Sequence, residues 1–251
     1  MAQIHDTVLY EELSMNAHPA LQTQLYDGWI LRFSDGYTNR ANSVNPLYHA
    51  VLPLADKIDH CETVYRSQNL PVVYKLTHAC GDVLDKLLQT RGYRIVSPTN
   101  IMTKDITDFH HNSTDFYVSS LVEDYWIGSY FALNGLTDSN KKATATLMLR
   151  NIQNAVLCGT VKNNGQTIAC GLCVIERGYA GLFDIVVDSA YRGQGYGYEI
   201  CRSLLNEAKK YGAKRAYLQV VQSNFNAIGL YNKLGFSNLY EYWYRVNDTL
   251  A

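Results

Sequence analysis

The chain has 251 residues, 47% apolar and 18% charged, and its 22 basic and 23 acidic side chains leave a formal charge of −1. That length suits one large domain or two small ones, and the near-neutral balance argues against nucleic acid as the main partner, which would call for a basic face. No run approaches the 18 apolar residues that a membrane span requires, and six dispersed cysteines with no basic-then-apolar leader lead us to expect a cytoplasmic protein.

Along the first part of the chain, residues 26–33 and 37–44 flank Ser34-Asp35-Gly36 and read as a hairpin closed by Asp35-Gly36. Apolar spacing predicts a helix over about 54–67, a strand at 71–76, a helix at 83–90 and a strand opening at 92–96. The polar, aperiodic stretch 108–115 reads as a linker, giving expected domains 1–110 and 111–251. Beyond it, 119–133 and 140–152 carry helical spacing, and 155–161 with 167–175 read as a hairpin closed by Asn164-Gly165.

Cys170 and Cys173 lie in the second of those strands, where an odd spacing sends their thiols to opposite faces. Packing explains them better than a redox pair, and no metal site is expected. Every histidine lies at or before His111, so the later part of the chain cannot supply a Ser-His or Cys-His nucleophile pair.

The densest signal begins at residue 181. The run 181–187 is apolar and rich in β-branched and aromatic residues, as a buried strand should be. Asp188-Ser189-Ala190-Tyr191 breaks it, Arg192-Gly193-Gln194-Gly195-Tyr196-Gly197 follows, and Ile200, Leu204, Leu205, Ala208 and Tyr211 then recur at helical spacing. Alternate glycines at a strand-to-helix junction leave backbone N–H groups unobstructed. With the positive end of the helix dipole and Arg192 at the mouth, they make a cradle for phosphate oxygens. A tight turn with glycines serving chain reversal is the plainer reading of the motif alone. No Gly-Lys-Ser/Thr follows, so it is not a Walker loop, and no acidic residue closes the next strand at 216–221 as a dinucleotide site would need.

After that strand comes Asn224-Phe-Asn-Ala-Ile-Gly-Leu-Tyr231-Asn-Lys-Leu-Gly235-Phe236. Strand, Arg-x-x-Gly-x-Gly, helix, strand and Asn-x-x-Ala-x-x-Leu-Tyr-x-Lys-Leu-Gly-Phe together resemble the core of the GNAT superfamily of acyl-CoA-dependent N-acetyltransferases. The resemblance covers roughly the last half of the chain. It implies a mixed α/β fold in which the strand before the glycine turn splays from its neighbour and pantetheine lies in the opening.

Carried over residue by residue, the resemblance places pantetheine on the main chain of Ile185, Val186 and Val187, the pyrophosphate on Arg192, Gly193, Gln194, Gly195, Tyr196 and Gly197, and the cofactor arm against Asn224. It gives Tyr231 the role of acid to the leaving thiolate, which suits a phenol that stays protonated at neutral pH. Asp184 is the nearest acidic residue to the expected thioester and a candidate base. Alternation puts it on the face of Leu182 and Val186, so a buried structural carboxylate, with water or no dedicated base, is the other reading.

Residues 87–93 match 230–236 at an offset of 235 − 92 = 143, which also sets Tyr74 on Tyr217 and Val44 on Val187. This suggests two GNAT-like halves in tandem. At that offset His49, Ala50, Leu52 and Leu54 replace Arg192, Gly193, Gly195 and Gly197, and Leu88 replaces Tyr231, so the first half is expected to be a degenerate copy. The expected activity is transfer of acetyl from acetyl-CoA to a primary amine, on a small molecule or a peptide or protein, by direct attack in a ternary complex. A non-catalytic acyl-CoA-binding regulatory module, or a longer acyl group, are the alternatives. Glu123, Asp124, Tyr125 and Trp126 are candidate acceptor-wall residues. Tyr130 and, on an expected last hairpin, Tyr240, Tyr242 and Trp243 could line a pocket or simply pack. Oligomeric state carries no signal.

Overall fold

The computed structural model describes residues 4–109 and 116–247. The chain forms two compact units: residues up to Asn100 together with those from Tyr240 onward make one, and Ile101–Leu239 make the other. Most of the stretch read as a linker, 110–115, lies outside the described residues; the division between the units falls inside a strand.

The first unit opens with α1 (Ile4–Ala17), which sequence periodicity did not reveal. Its buried residues include Thr7, Glu11 and Ser14 beside Tyr10, Leu13 and Ala17, so polar and apolar positions share a face. β1 (Gln22–Tyr26) and β2 (Trp29–Phe33) form a tight antiparallel hairpin. Its turn is Asp27-Gly28, both at positive φ (43° and 77°). A Cβ on Gly28 would lie 2.2 Å from the His49 carbonyl oxygen, so only glycine fits.

The turn read as closing a hairpin, Asp35-Gly36, instead begins a loop through residue 43, and the expected strand 37–44 shrinks to β3 (Val44–Pro46). Asn42 is the physical reason. Its side-chain oxygen accepts from the N–H of Ser34 (2.7 Å) and Gly36 (3.0 Å), and its amide donates to the Thr38 carbonyl (2.9 Å), so the loop bonds to itself rather than to a ladder.

α2 (Leu54–Ser67), β4 (Val73–Thr77) and α3 (Asp82–Thr90) follow as the spacing predicts. β3 and β4 run parallel through Val44 and Tyr74, and the end of β11 (Ser237–Val246) pairs antiparallel with β4 from Tyr242–Thr77 to Val246–Val73. The expected last hairpin is therefore a single strand. Ile58, Cys61 and Tyr65 of α2 and Leu84 and Leu88 of α3 bury against Trp29, Leu31 and Tyr74.

In the second unit β5 (Arg94–Asp105), which begins in the first, leads to β6 (Phe116–Ser119), α4 (Asp124–Leu133) and α5 (Ser139–Arg150). The helix expected from Ser119 starts later, because residues 116–119 pair with β7 (Ala155–Asn163) as an antiparallel strand. β8 (Gln166–Glu176), β9 (Tyr179–Val187), α6 (Tyr196–Lys210), β10 (Arg215–Val221) and α7 (Phe225–Lys233) complete the unit. Strand order is β5-β10-β9-β8-β7-β6, with β9 and β10 parallel. Ile200, Cys201, Leu204, Leu205 and Ala208 line the buried face of α6 and fill the core with Leu157, Ile168, Cys173 and Leu182. Gly159 and Gly171 lie opposite each other on β7 and β8. A Cβ on either would meet Leu204 at 3.1 Å, so the missing side chains let the helix approach the sheet.

α3 and α7 lie 225 − 82 = 143 residues apart and have equal length, and α2, β4 and the start of β5 precede α6, β10 and the start of β11 by the same interval to within one residue. The strands before the turn do not keep that interval. Tyr74 pairs with Val44, 74 − 44 = 30 residues earlier, whereas Tyr217 pairs with Gly181, 217 − 181 = 36 residues earlier. The ungapped match of Val44 to Val187 is therefore corrected: the second unit carries 36 − 30 = 6 extra residues between that pairing point and its following strand.

Candidate functional site

β9 is an ordinary strand only in its first half. Against β8 its register shifts between Cys170 and Leu172, where Asp184 adopts φ 52°. This β-bulge ends simple alternation. Phe183 pairs with Leu172 and Val186 with Cys170, so Val186 shares a face with Phe183, and the expected grouping of Asp184 with Leu182 and Val186 does not hold. Ile185 points under α6, where a Cβ on Gly171 would meet its Cδ1 at 2.6 Å. On the other edge, β9 pairs with β10 from Tyr179–Arg215 to Leu182–Leu218 and no further. Residues 183–187 and 219–221 thus flank an opening in the sheet.

The glycine turn follows. Gly193 (φ 77°) and Gly195 (φ 92°) occupy backbone that other residues adopt only with strain, and a Cβ on either would meet nothing within 4 Å. They leave the approach to the α6 N-terminus clear. Gly195 caps that helix with no side-chain hydrogen bond, so its first-turn N–H groups are offered outward. Gly197 serves packing: a Cβ there would meet Leu230 at 3.0 Å and Val187 at 3.6 Å, and so β9, α6 and α7 converge on it. Tyr196 begins α6 and packs edge-on against Tyr191. Arg192 and Gln194 are exposed; Arg192 Nε donates to the Val187 carbonyl (3.2 Å) and Gln194 Nε2 to the Ala190 carbonyl (3.2 Å).

α2 of the first unit likewise has no side-chain cap, but the backbone amides that precede it are taken. Just before α2, the Asp27 carboxylate accepts from Val51 N (3.1 Å) and Leu52 N (2.9 Å) and pairs with buried Lys57 at 3.0 Å. A carboxylate of the protein occupies those amides, and their donation is the main cause that holds the Asp27 carboxyl below its ordinary range.

α7 carries two further candidates. Asn224 is its N-cap, and its side chain accepts from Ala227 N (3.1 Å), a local role that sequence reasoning did not assign. Tyr231 is the one buried residue of α7, set edge-on to Phe236 at 6.1 Å. Burial, with a smaller effect of Cys201, pushes its phenol well up, so it stays protonated at any physiological pH. Cys201 itself is pushed up to about 12 by burial.

Across the sheet from α6 lies an arrangement that spacing did not reveal. Tyr130 Oη donates to Asp184 Oδ1 at 3.1 Å. The Tyr130 ring stacks on Trp126 (5.5 Å, 6°), whose Nε1 donates to the Gly159 carbonyl (3.1 Å). Of the other wall candidates, Glu123 and Asp124 are exposed, with Asp124 bonded by Arg150, and the Tyr125 hydroxyl is 2.5 Å from Thr167 Oγ1. Tyr240, Tyr242 and Trp243 belong to the first unit: Tyr240 donates to Glu11 (3.0 Å), Lys75 Nζ sits over the Tyr242 ring (4.0 Å), and Trp243 Nε1 donates to Asp85 (2.8 Å). Cys170 and Cys173 are both buried, the first near Asp184 and Cys158, the second near Cys201. Among the described residues no group of three or more His, Cys, Asp or Glu could hold a metal ion, and no helix is long and apolar enough to cross a membrane.

Residues 6–245 match the family described as "Probable histone acetyltransferase Rv0428c C-terminal". The chain is 31% identical over 241 residues to "Uncharacterized N-acetyltransferase YobR" of Bacillus subtilis, covering 94% of this chain and 96% of that one. A shorter match, 38% over 74 residues, spans 30% of this chain and 50% of the ribosomal protein bS18 alanine N-acetyltransferase of Escherichia coli. A GCN5-related N-acetyltransferase from Kribbella flavida superposes with a TM-score of 0.71 at 11% identity, over 96% of this chain and 95% of its own. A tandem GNAT protein from the clavulanic acid biosynthesis pathway gives 0.66 at 11%, over 94% and 86%. Those two establish likeness of fold. The family match over nearly the whole chain, with the 31% identical relative, identifies the protein as an acyltransferase of the GNAT superfamily of N-acetyltransferases, belonging to the Rv0428c C-terminal family.

Proposed function

We propose that the protein transfers the acetyl group of acetyl-CoA to a primary amine, on a small molecule or a peptide or protein, by direct attack in a ternary complex. The observation that carries this reading is the opening between β9 and β10 beyond Leu182 and Leu218, which leads to the uncapped α6 N-terminus. Main-chain groups of Ile185, Val186 and Val187 would hold pantetheine along that opening. The amides of Gly193 to Gly197, with Arg192 and Gln194, would take the pyrophosphate, and Asn224 would flank the cofactor arm. Acetyl-CoA brings an activated thioester to these residues. As the amine forms its N–C bond and the C–S bond breaks, the Tyr231 hydroxyl gives its proton to the sulfur, and the amine's proton passes to Asp184. Positional matching supports reading the first unit, with a carboxylate on the amides that precede its helix and a shorter strand-to-helix segment, as a degenerate copy of the second.

Thiol release from acetyl-CoA against a panel of primary amines, with products identified by mass spectrometry, tests the reading. Amine-dependent release with acetylated product is the expected result. Binding of acetyl-CoA without turnover on any amine would overturn it.

A further inference from the structure

Asp184 sits where β9 leaves regular pairing, at φ 52° within the bulge. Bulges re-aim side chains beside functional sites, and strained non-glycine backbone concentrates there. The carboxylate meets the phenol of Tyr130 at 3.1 Å. That phenol is itself held, because its ring lies flat on buried Trp126, which is anchored to Gly159 on β7, and tilts against Phe131 at 5.8 Å. A chain of packed groups thus runs from the sheet through α4 to the carboxylate.

Groups from several elements lie near Asp184. From β7 and β8 come the thiols of Cys158 and Cys170, both kept neutral by burial first and by the Asp184 charge in addition. Glu123, ahead of α4, acts on Cys158 in the same sense. From β10, Tyr217 packs edge-on against neighbouring Phe183. On the opposite face α6 presents Ile200 and Leu204. Tyr130 therefore supplies a hydroxyl donor to a carboxylate whose other neighbours include two neutral thiols.

We propose that Tyr130 is the positioning residue of the acceptor side, its hydroxyl holding the Asp184 carboxylate in the orientation that takes the proton from the attacking amine. The inference rests on the acyl-transfer reading above. The amine N–H bond breaks, its proton moves to the carboxylate, and water later carries it away. A hydrogen bond to a carboxylate favours its charged form, so on this proposal removal of the phenol should appear in the acid limb of the rate.

The test is the pH profile of kcat at saturating amine and acetyl-CoA for the wild type, Tyr130→Phe and Asp184→Asn. Tyr130→Phe preserves the stacked ring, and an unchanged near-ultraviolet circular dichroism spectrum checks that the fold is intact. The expected result is a lower kcat with the acid limb moved upward by roughly one pH unit in Tyr130→Phe, unchanged KM for acetyl-CoA, and loss of that limb in Asp184→Asn. A wild-type acid limb that stays in place in Tyr130→Phe, or survives in Asp184→Asn, overturns this proposal and leaves acyl transfer standing. A wild type that turns over no amine removes both.

Discussion

Leu182 on β9 pairs with Leu218 on β10, and it is the last residue of β9 to do so, although β9 continues to Val187 and β10 to Val221. The bulge at Asp184 shifts the β9 register at that point. The following turn delivers the chain into α6, whose first amides lack a side-chain cap. One local irregularity thus opens a seam and aims it at an anion-attracting helix end.

Gly195→Val tests the cradle. At φ 92° any β-branched residue is strained, by about 1–3 kcal/mol, although the space for it is open. The expected outcome is a modest loss in urea unfolding together with a KM for acetyl-CoA raised by roughly tenfold or more, as the amides are displaced. An unchanged KM would remove the turn from the binding site.

Tyr231→Phe tests the acid. The ring and its edge contact with Phe236 remain, so acetyl-CoA affinity should change little, while turnover falls by about ten- to a thousandfold. Burial raises the phenol's pKa, so its protonated, proton-donating form persists as pH rises. Any alkaline limb of the wild-type profile therefore belongs to another group. Unchanged turnover would take Tyr231 out of the mechanism.

The second unit was the more legible in sequence, for a physical reason. Its glycine turn, the short α7 ended at Gly235 and the Asn164-Gly165 hairpin rest on local chemistry that residue type reports directly, and α2 and α3 of the first unit are equally clear by periodicity. What stayed hidden depends on contacts across distance. The bulge follows from the register of β9 against β8, and the Tyr130–Asp184 bond joins residues 54 positions apart. Two Asp-Gly pairs in the first unit look alike, and only Asn42, folding back onto Ser34 and Gly36, decides which one begins a loop. The six-residue difference between the units emerges only once strand pairing is known.

Asp27 predicts a pH dependence of stability. Its carboxyl is held below the ordinary value of 3.8, chiefly by the Leu52 amide, so the stabilisation it gives is present above that value and is lost as pH falls through its lower folded value. Asp27→Asn should therefore unfold at a lower temperature than the wild type at pH 7, with the difference shrinking below about pH 4. A difference independent of pH would contradict the carboxylate–amide account.

Leu204, on the buried face of α6, packs against Gly159 and Gly171 and is fully buried. Leu204→Ala should cost about 2–5 kcal/mol in denaturant unfolding, the loss expected for a core cavity that cannot collapse. A cost below about 1 kcal/mol would show that α6 is not clamped to the sheet there.

The most direct measurement is a crystal structure of the protein with coenzyme A. We expect pantetheine alongside residues 183–187, in the opening beyond Leu182 and Leu218, with the pyrophosphate on the amides from Gly193 to Gly197. Coenzyme A bound elsewhere, or crystals grown at saturating coenzyme A with that opening empty, would contradict the account.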